Sequence, residues 1–171
     1  KKLVGRAMEE GEFVFEVYQT GFIPVGSQTV QSSNALVTTG RNNAGANGEE
    51  VEFAFDPITY SVPGTYQYKI VETEGNRKGV DYNPEGVSYV ATVVVADNTT
   101  TGSLEVISTT YYPENSSEAL TGLPTFTNTY TPERIPVVLD IDKVLTGRDM
   151  DADEFSFTVI QTEYTDGTNV N

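Results

Sequence analysis

The chain has 171 residues, with 25 acidic and 10 basic side chains, no histidine and no cysteine, and a formal net charge of −15. Such a surface argues against nucleic acid and anionic membrane as partners, because the Lys and Arg needed to replace phosphate counterions are missing. Without cysteine there is no disulfide, no Cys-ligated zinc site and no thiol nucleophile, so an extracellular protein of this sequence must draw its stability from another source.

Nearly every periodic segment has period two rather than 3.6, and Tyr, Phe, Val and Thr carry much of the apolar content. Glu12–Tyr18 places Phe13, Phe15 and Val17 on one face. The stretch 21–48 is rich in Gly, Asn, Ser and Thr and reads as a long loop with one short strand at Ala35–Thr38. Val51, Phe53 and Phe55 alternate with polar neighbours and predict a strand that Pro57 ends. Pro63-Gly64 signals a turn into Thr65–Thr73, where Tyr66, Tyr68, Ile70 and Glu72 share a face. Asn76–Gly86 is turn-rich, and Val87–Ala96 is a nearly continuous β-branched run. Leu104–Thr110 follows, then a polar loop at Pro113–Pro124. Thr125–Thr131 is the last strand, with Phe126, Asn128 and Tyr130 on one face. Many short strands separated by turns, with no amphipathic helix, predict an all-β antiparallel sandwich.

The opening segment occurs twice. Lys1, Leu3, Gly5, Arg6, Met8, Glu12, Phe13, Phe15 and Val17 return as Lys143, Leu145, Gly147, Arg148, Met150, Glu154, Phe155, Phe157 and Val159 without a gap. This spacing predicts a tandem array: a whole domain over 1–131, a two-proline linker at 132–138, and the first part of a second, truncated copy at 139–171. In that copy Leu139, Ile141, Lys143 and Leu145 share the opening face. No apolar run reaches membrane-spanning length, and no signal peptide or sortase-type anchor motif is present. A piece of a longer protein is expected to lack the last two.

Three polar residues stand where strand parity asks for apolar ones. Lys1 shares a face with Leu3, Glu72 continues the face of Ile70, and Asn128 lies between Phe126 and Tyr130. Singly, each has an ordinary explanation: a snorkelling lysine, a solvated strand end, a satisfied turn. Together, on the first, a middle and the last strand, they require a joint one, because a buried charge costs several kcal/mol unless paired or neutralised. One chemistry uses all three. Desolvation favours a neutral amine and a neutral acid. The amine is a nucleophile, and the acid can polarise the carboxamide carbon of Asn128 through its oxygen. Attack by Lys1, proton shuttling through Glu72 and loss of ammonia would leave a Lys–Asn isopeptide bond.

The motifs Lys-x-Leu-x-Gly-Arg with Glu-Phe-x-Phe (Lys1–Arg6, Glu12–Phe15), Pro-Gly-Thr-Tyr-x-Tyr-x-Ile-x-Glu (Pro63–Glu72), Gly-Val-x-Tyr (Gly79–Tyr82) and Phe-x-Asn-x-Tyr (Phe126–Tyr130) occur in this order. The segment resembles the streptococcal pilin isopeptide-linkage domain, a family of CnaB-like, reverse-immunoglobulin sandwiches in Gram-positive pili and surface adhesins. The resemblance implies Lys1 as the amine, Glu72 as the catalytic acid and Asn128 as the amide partner. Lys143 resembles the amine of the next domain, whose Glu and Asn would lie beyond Asn171. Lys2 is set aside, because counting back from Gly-Arg aligns Lys1 with Lys143.

The expected role is a structural stalk domain of a cell-wall-anchored adhesin or pilin, with neighbouring repeats of the same chain as partners. The alternative is a binding module that contacts a host protein or glycan through the 21–48 loop. Turnover enzymology is not expected: without His or Cys only a carboxylate hydrolase remains, and no second inward carboxylate accompanies Glu72. No cofactor or metal is implied. Asp149–Glu154 has the start of a calcium loop but lacks the downstream Gly and bidentate Glu. The sequons at Asn98 and Asn115 are read as chance. In Tyr111-Tyr112-Pro113-Glu114, Glu114 stands where a pilin motif would carry its subunit-joining lysine.

Overall fold

The computed structural model describes residues 1–83 and 85–163. The chain divides into two compact units, the first being Lys1–Arg134 and the second beginning at Ile135. Among the described residues all assigned strands lie in the first unit: β1 (Lys2–Val4), β2 (Val14–Pro24), β3 (Gln31–Arg41), β4 (Gly64–Glu72), β5 (Val80–Asp81), β6 (Tyr89–Asn98), β7 (Ser103–Pro113) and β8 (Thr127–Tyr130). Among the described residues no helix is assigned.

Five strands form one sheet in the order β3-β2-β4-β6-β7, antiparallel throughout, and three form a second in the order β1-β8-β5. The central strands alternate as their sequences predict: Tyr66, Tyr68 and Ile70 of β4 and Tyr89, Ala91, Val93 and Val95 of β6 are buried. Against them stand Leu3 and Asn128 of the small sheet and Phe126 just before β8, all buried. Phe126 sits edge-on to Tyr89 with ring centroids 5.0 Å apart and lies 5.3 Å from Phe15, so one aromatic cluster joins the two layers.

Four expectations are corrected. First, 21–48 is not a long loop: β2 runs on to Pro24 and pairs with the eleven-residue β3. β3 is a sheet edge, and Gln31–Leu36 are all exposed, so no buried face imposes an alternation that the sequence could display. Second, Val51–Phe55 forms no strand. It makes one isolated bridge, Phe55 to Gly40, beside that of the preceding Glu50 to Lys2, while Phe53 stacks on Phe15 at 4.4 Å. Its alternation reports burial, not a ladder. Third, β1 and β8 run parallel, with Leu3 opposite Asn128, so the sandwich is not antiparallel throughout. Fourth, no strand is assigned at Leu139–Leu145, whose side chains are largely exposed. A strand requires a hydrogen-bonding partner, and the one that β8 offers β1 has no counterpart among the described residues of that unit. Residues 164–171 of the expected second copy lie outside the described residues.

The connection from β1 to β2 is pinned from inside. The buried Asn42 accepts from the Phe13 N–H at 2.7 Å and donates to the carbonyls of Glu9 at 2.7 Å and Asn43 at 2.9 Å. Gly5 adopts φ +107, and a Cβ there would collide with the Tyr130 carbonyl, which explains the glycine of the opening motif. Both devices hold β1 and Phe13 where the polar cluster needs them.

Candidate cross-linking site

Lys1 lies just before β1, and its backbone exchanges hydrogen bonds of 2.8 Å with Val51 in both directions. Glu72 is the last residue of β4 and stands opposite Phe15 of β2. Asn128 is in β8 and is fully buried. Three separate segments thus deliver the three residues singled out by strand parity to one point between the sheets.

The Lys1 Nζ lies 3.0 Å from Glu72 Oε1 and 2.9 Å from Oε2, with both side chains essentially inaccessible. The same Oε1 accepts from Asn128 Nδ2 at 2.5 Å. One carboxylate oxygen therefore holds the amine and the carboxamide together. The Phe13 ring covers the amine at 4.2 Å, with Phe15 at 5.9 Å. Lys2 is on the opposite side, partly exposed and 3.9 Å from Glu50. The carboxamide orientation departs from expectation: Glu72 faces Nδ2, whereas Asn128 Oδ1 accepts from the backbone N–H of Asn83 at 2.7 Å. Sequence reasoning missed Asn83, because Asn83-Pro84-Glu85-Gly86 announces a turn but not what the turn faces.

Burial pushes the Lys1 amine down from 10.5 to about 8, against the opposing attraction and hydrogen bond of Glu72 and a smaller pull from Glu12. Glu12 is itself inaccessible and paired with Arg6, whose guanidinium lies 5.0 Å from the Tyr130 ring centre. Linkage then has a definite sign. Between about pH 8 and 10 the unfolded chain holds a proton on Lys1 that the folded chain has released, so stability rises with pH. Above about 10 the buried hydroxyls of Tyr66, Tyr68 and Tyr89, which burial pushes up, reverse the trend. An Asn128→Ala chain, which cannot be cross-linked, is expected to gain resistance to urea from about pH 7.5 to about 9.5. A flat or falling midpoint would contradict a desolvated Lys1.

Lys143 is exposed, with Nζ 4.4 Å from the Phe155 ring centre and bonded to the Val144 carbonyl at 2.8 Å. Arg148 pairs with Glu154 as Arg6 pairs with Glu12, and the Asp151 N–H bonds Glu154 at 3.1 Å as the Glu9 N–H bonds Glu12 at 3.1 Å. The carboxylate of Glu154 is thus committed to an arginine.

The two-layer β fold thus brings a lysine from just before its first strand, a glutamate from a middle strand and an asparagine from the last into one buried contact. Residues 1–131 match the model of the family described as FctA, Spy0128-like isopeptide containing domain, and the chain belongs to that family. Among solved structures, the crystal structure of a mutant of the major pilin from Streptococcus pyogenes is similar, with 20% identity and a TM-score of 0.50. The match covers 75% of this chain and 47% of that one, so the chain spans about half the pilin's length, and the likeness is one of fold. No curated protein matches the sequence.

Proposed function

We propose that the chain is a shaft segment of a Gram-positive surface pilus or adhesin, and that its first unit is closed by an autocatalytic bond between Lys1 Nζ and Asn128 Cγ. The observation that carries this is the sharing of one Glu72 oxygen by the Lys1 amine and the Asn128 amide in a site closed to water. Proton transfer from the Lys1 ammonium to Glu72 yields a neutral amine and a neutral acid. The amine adds to Cγ and a tetrahedral intermediate forms. Glu72 passes its proton to the departing Nδ2 and takes one from the attached amine nitrogen, so ammonia leaves and Glu72 ends as the neutral acid. Placement between packed strands supplies the proximity, worth roughly 7–11 kcal/mol of barrier in well-oriented reactions. The step happens once per molecule and is maturation, not turnover.

The link connects the start of β1 to its parallel neighbour β8. Tension entering at Lys1 and leaving beyond Tyr130 would pass through a covalent bond and bypass the strands between. Lys143 is proposed as the equivalent amine of a following domain. Its stacking on Phe155 and the repeated Arg148–Glu154 pair support that reading. The binding-module alternative relied on a long 21–48 loop, which is instead mostly a β-hairpin.

The test is the intact mass of the full chain beside its Glu72→Ala variant. The unmutated chain is expected one ammonia short of its sequence mass, and the variant at full mass. Full mass in both would end the cross-link reading.

A further inference from the structure

We infer that the backbone N–H of Asn83 is the oxyanion donor of the cross-linking reaction, an inference that rests on the function proposed above. When Lys1 adds to Asn128 Cγ, negative charge gathers on Oδ1. Glu72 does not meet that atom, since its oxygen faces Nδ2. The partner of Oδ1 is the Asn83 N–H at 2.7 Å. A fixed donor in a site closed to water stabilises developing charge far more than a solvated one.

The fold holds this donor in place from several sides. β5 pairs Val80 with Tyr130 and Asp81 with Thr129, and the ladder then stops. Two residues on, the chain turns through Asn83 at φ 45, a left-handed conformation that asparagine tolerates better than most residues. The Asn83 side chain locks the turn in both directions: Oδ1 accepts from Val87 N–H at 3.0 Å and Nδ2 donates to the Val87 carbonyl at 2.7 Å. Just before it, Tyr82 packs edge-on against Phe13, which covers the Lys1 amine. The N–H that a longer ladder would spend on backbone is thereby aimed at a side-chain carbonyl. Asn83 supplies the donor, and its own carboxamide positions it.

The test replaces the Tyr82–Asn83 amide with an ester, which deletes this N–H and leaves every side chain in place. The full 171-residue chain, as amide and as ester, is assembled in denaturant and diluted into buffer. Loss of ammonia is followed by mass, and rates are taken relative to the folded fraction. The ester is expected to close about a hundredfold more slowly, the usual scale for removing one oxyanion donor. Closure of both chains at rates within a few-fold would overturn the Asn83 assignment alone. No ammonia loss from the amide chain would overturn it together with the cross-link reading. If the ester chain fails to fold, a scalar coupling through the hydrogen bond, from the Asn83 nitrogen to the Asn128 side-chain carbonyl carbon, is sought in the native full chain. Its presence supports the assignment and its absence overturns it.

Discussion

Glu72→Ala is expected to lower the thermal midpoint of the first unit by roughly 15–20 °C. The cause lies mainly in the unfolded state. The proposed bond from Lys1 to Asn128 would close almost the whole domain into one loop. By the chain-entropy relation for cross-links, a loop of that size is worth about 5 kcal/mol. The entropy of unfolding for about 130 residues converts that into the expected shift. The variant also loses the ion pair and leaves the Lys1 amine without its carboxylate. Asn128→Ala separates the two contributions, because it removes the loop constraint and keeps Lys1 paired with Glu72. Its midpoint should fall nearly as far. Scanning calorimetry on the three chains checks this, and equal midpoints would mean that no covalent loop exists.

Phe15→Ala is expected to cost about 3–5 kcal/mol, the range for emptying a fully buried aromatic site. Phe15 is completely buried, stacks on Phe53 at 4.4 Å, touches Phe126 at 5.3 Å and lies within 5.9 Å of the Lys1 amine. The loss therefore reaches the chemistry as well as the packing. A cavity beside Lys1 admits water, weakens the desolvation that lowers its pKa, and slows closure. Urea unfolding should report the stability loss, and intact mass should reveal a fraction of chains that retain their ammonia. A stability change below about 1 kcal/mol would contradict Phe15 as the joint between the two sheets.

What could be read from the sequence follows from how each residue is buried. Lys1, Glu72 and Asn128 were legible because each interrupts an alternating apolar face, and parity alone puts them inward. Tyr66–Ile70 and Tyr89–Val95 were legible because central strands write their burial into every second residue. Of β3 only Ala35–Thr38 was, since an edge strand exposed along half its length carries no such pattern elsewhere. Val51–Phe55 misled in the opposite direction: its aromatic side chains enter the core, but its backbone finds only one isolated bridge. The parallel pairing of β1 with β8 is a long-range choice between residues more than a hundred apart, which no local signal encodes. Asn83 was hidden for a different reason. Its contribution is a main-chain N–H, and residue type reports only the turn that carries it.

The most direct test of the central claim is proteolysis of the full chain followed by tandem mass spectrometry. The account predicts a branched peptide in which Lys1 Nζ is joined to the Asn128 side chain with one ammonia missing. Linear peptides carrying a free Lys1 and an intact Asn128, or a branch on Lys2, would contradict it.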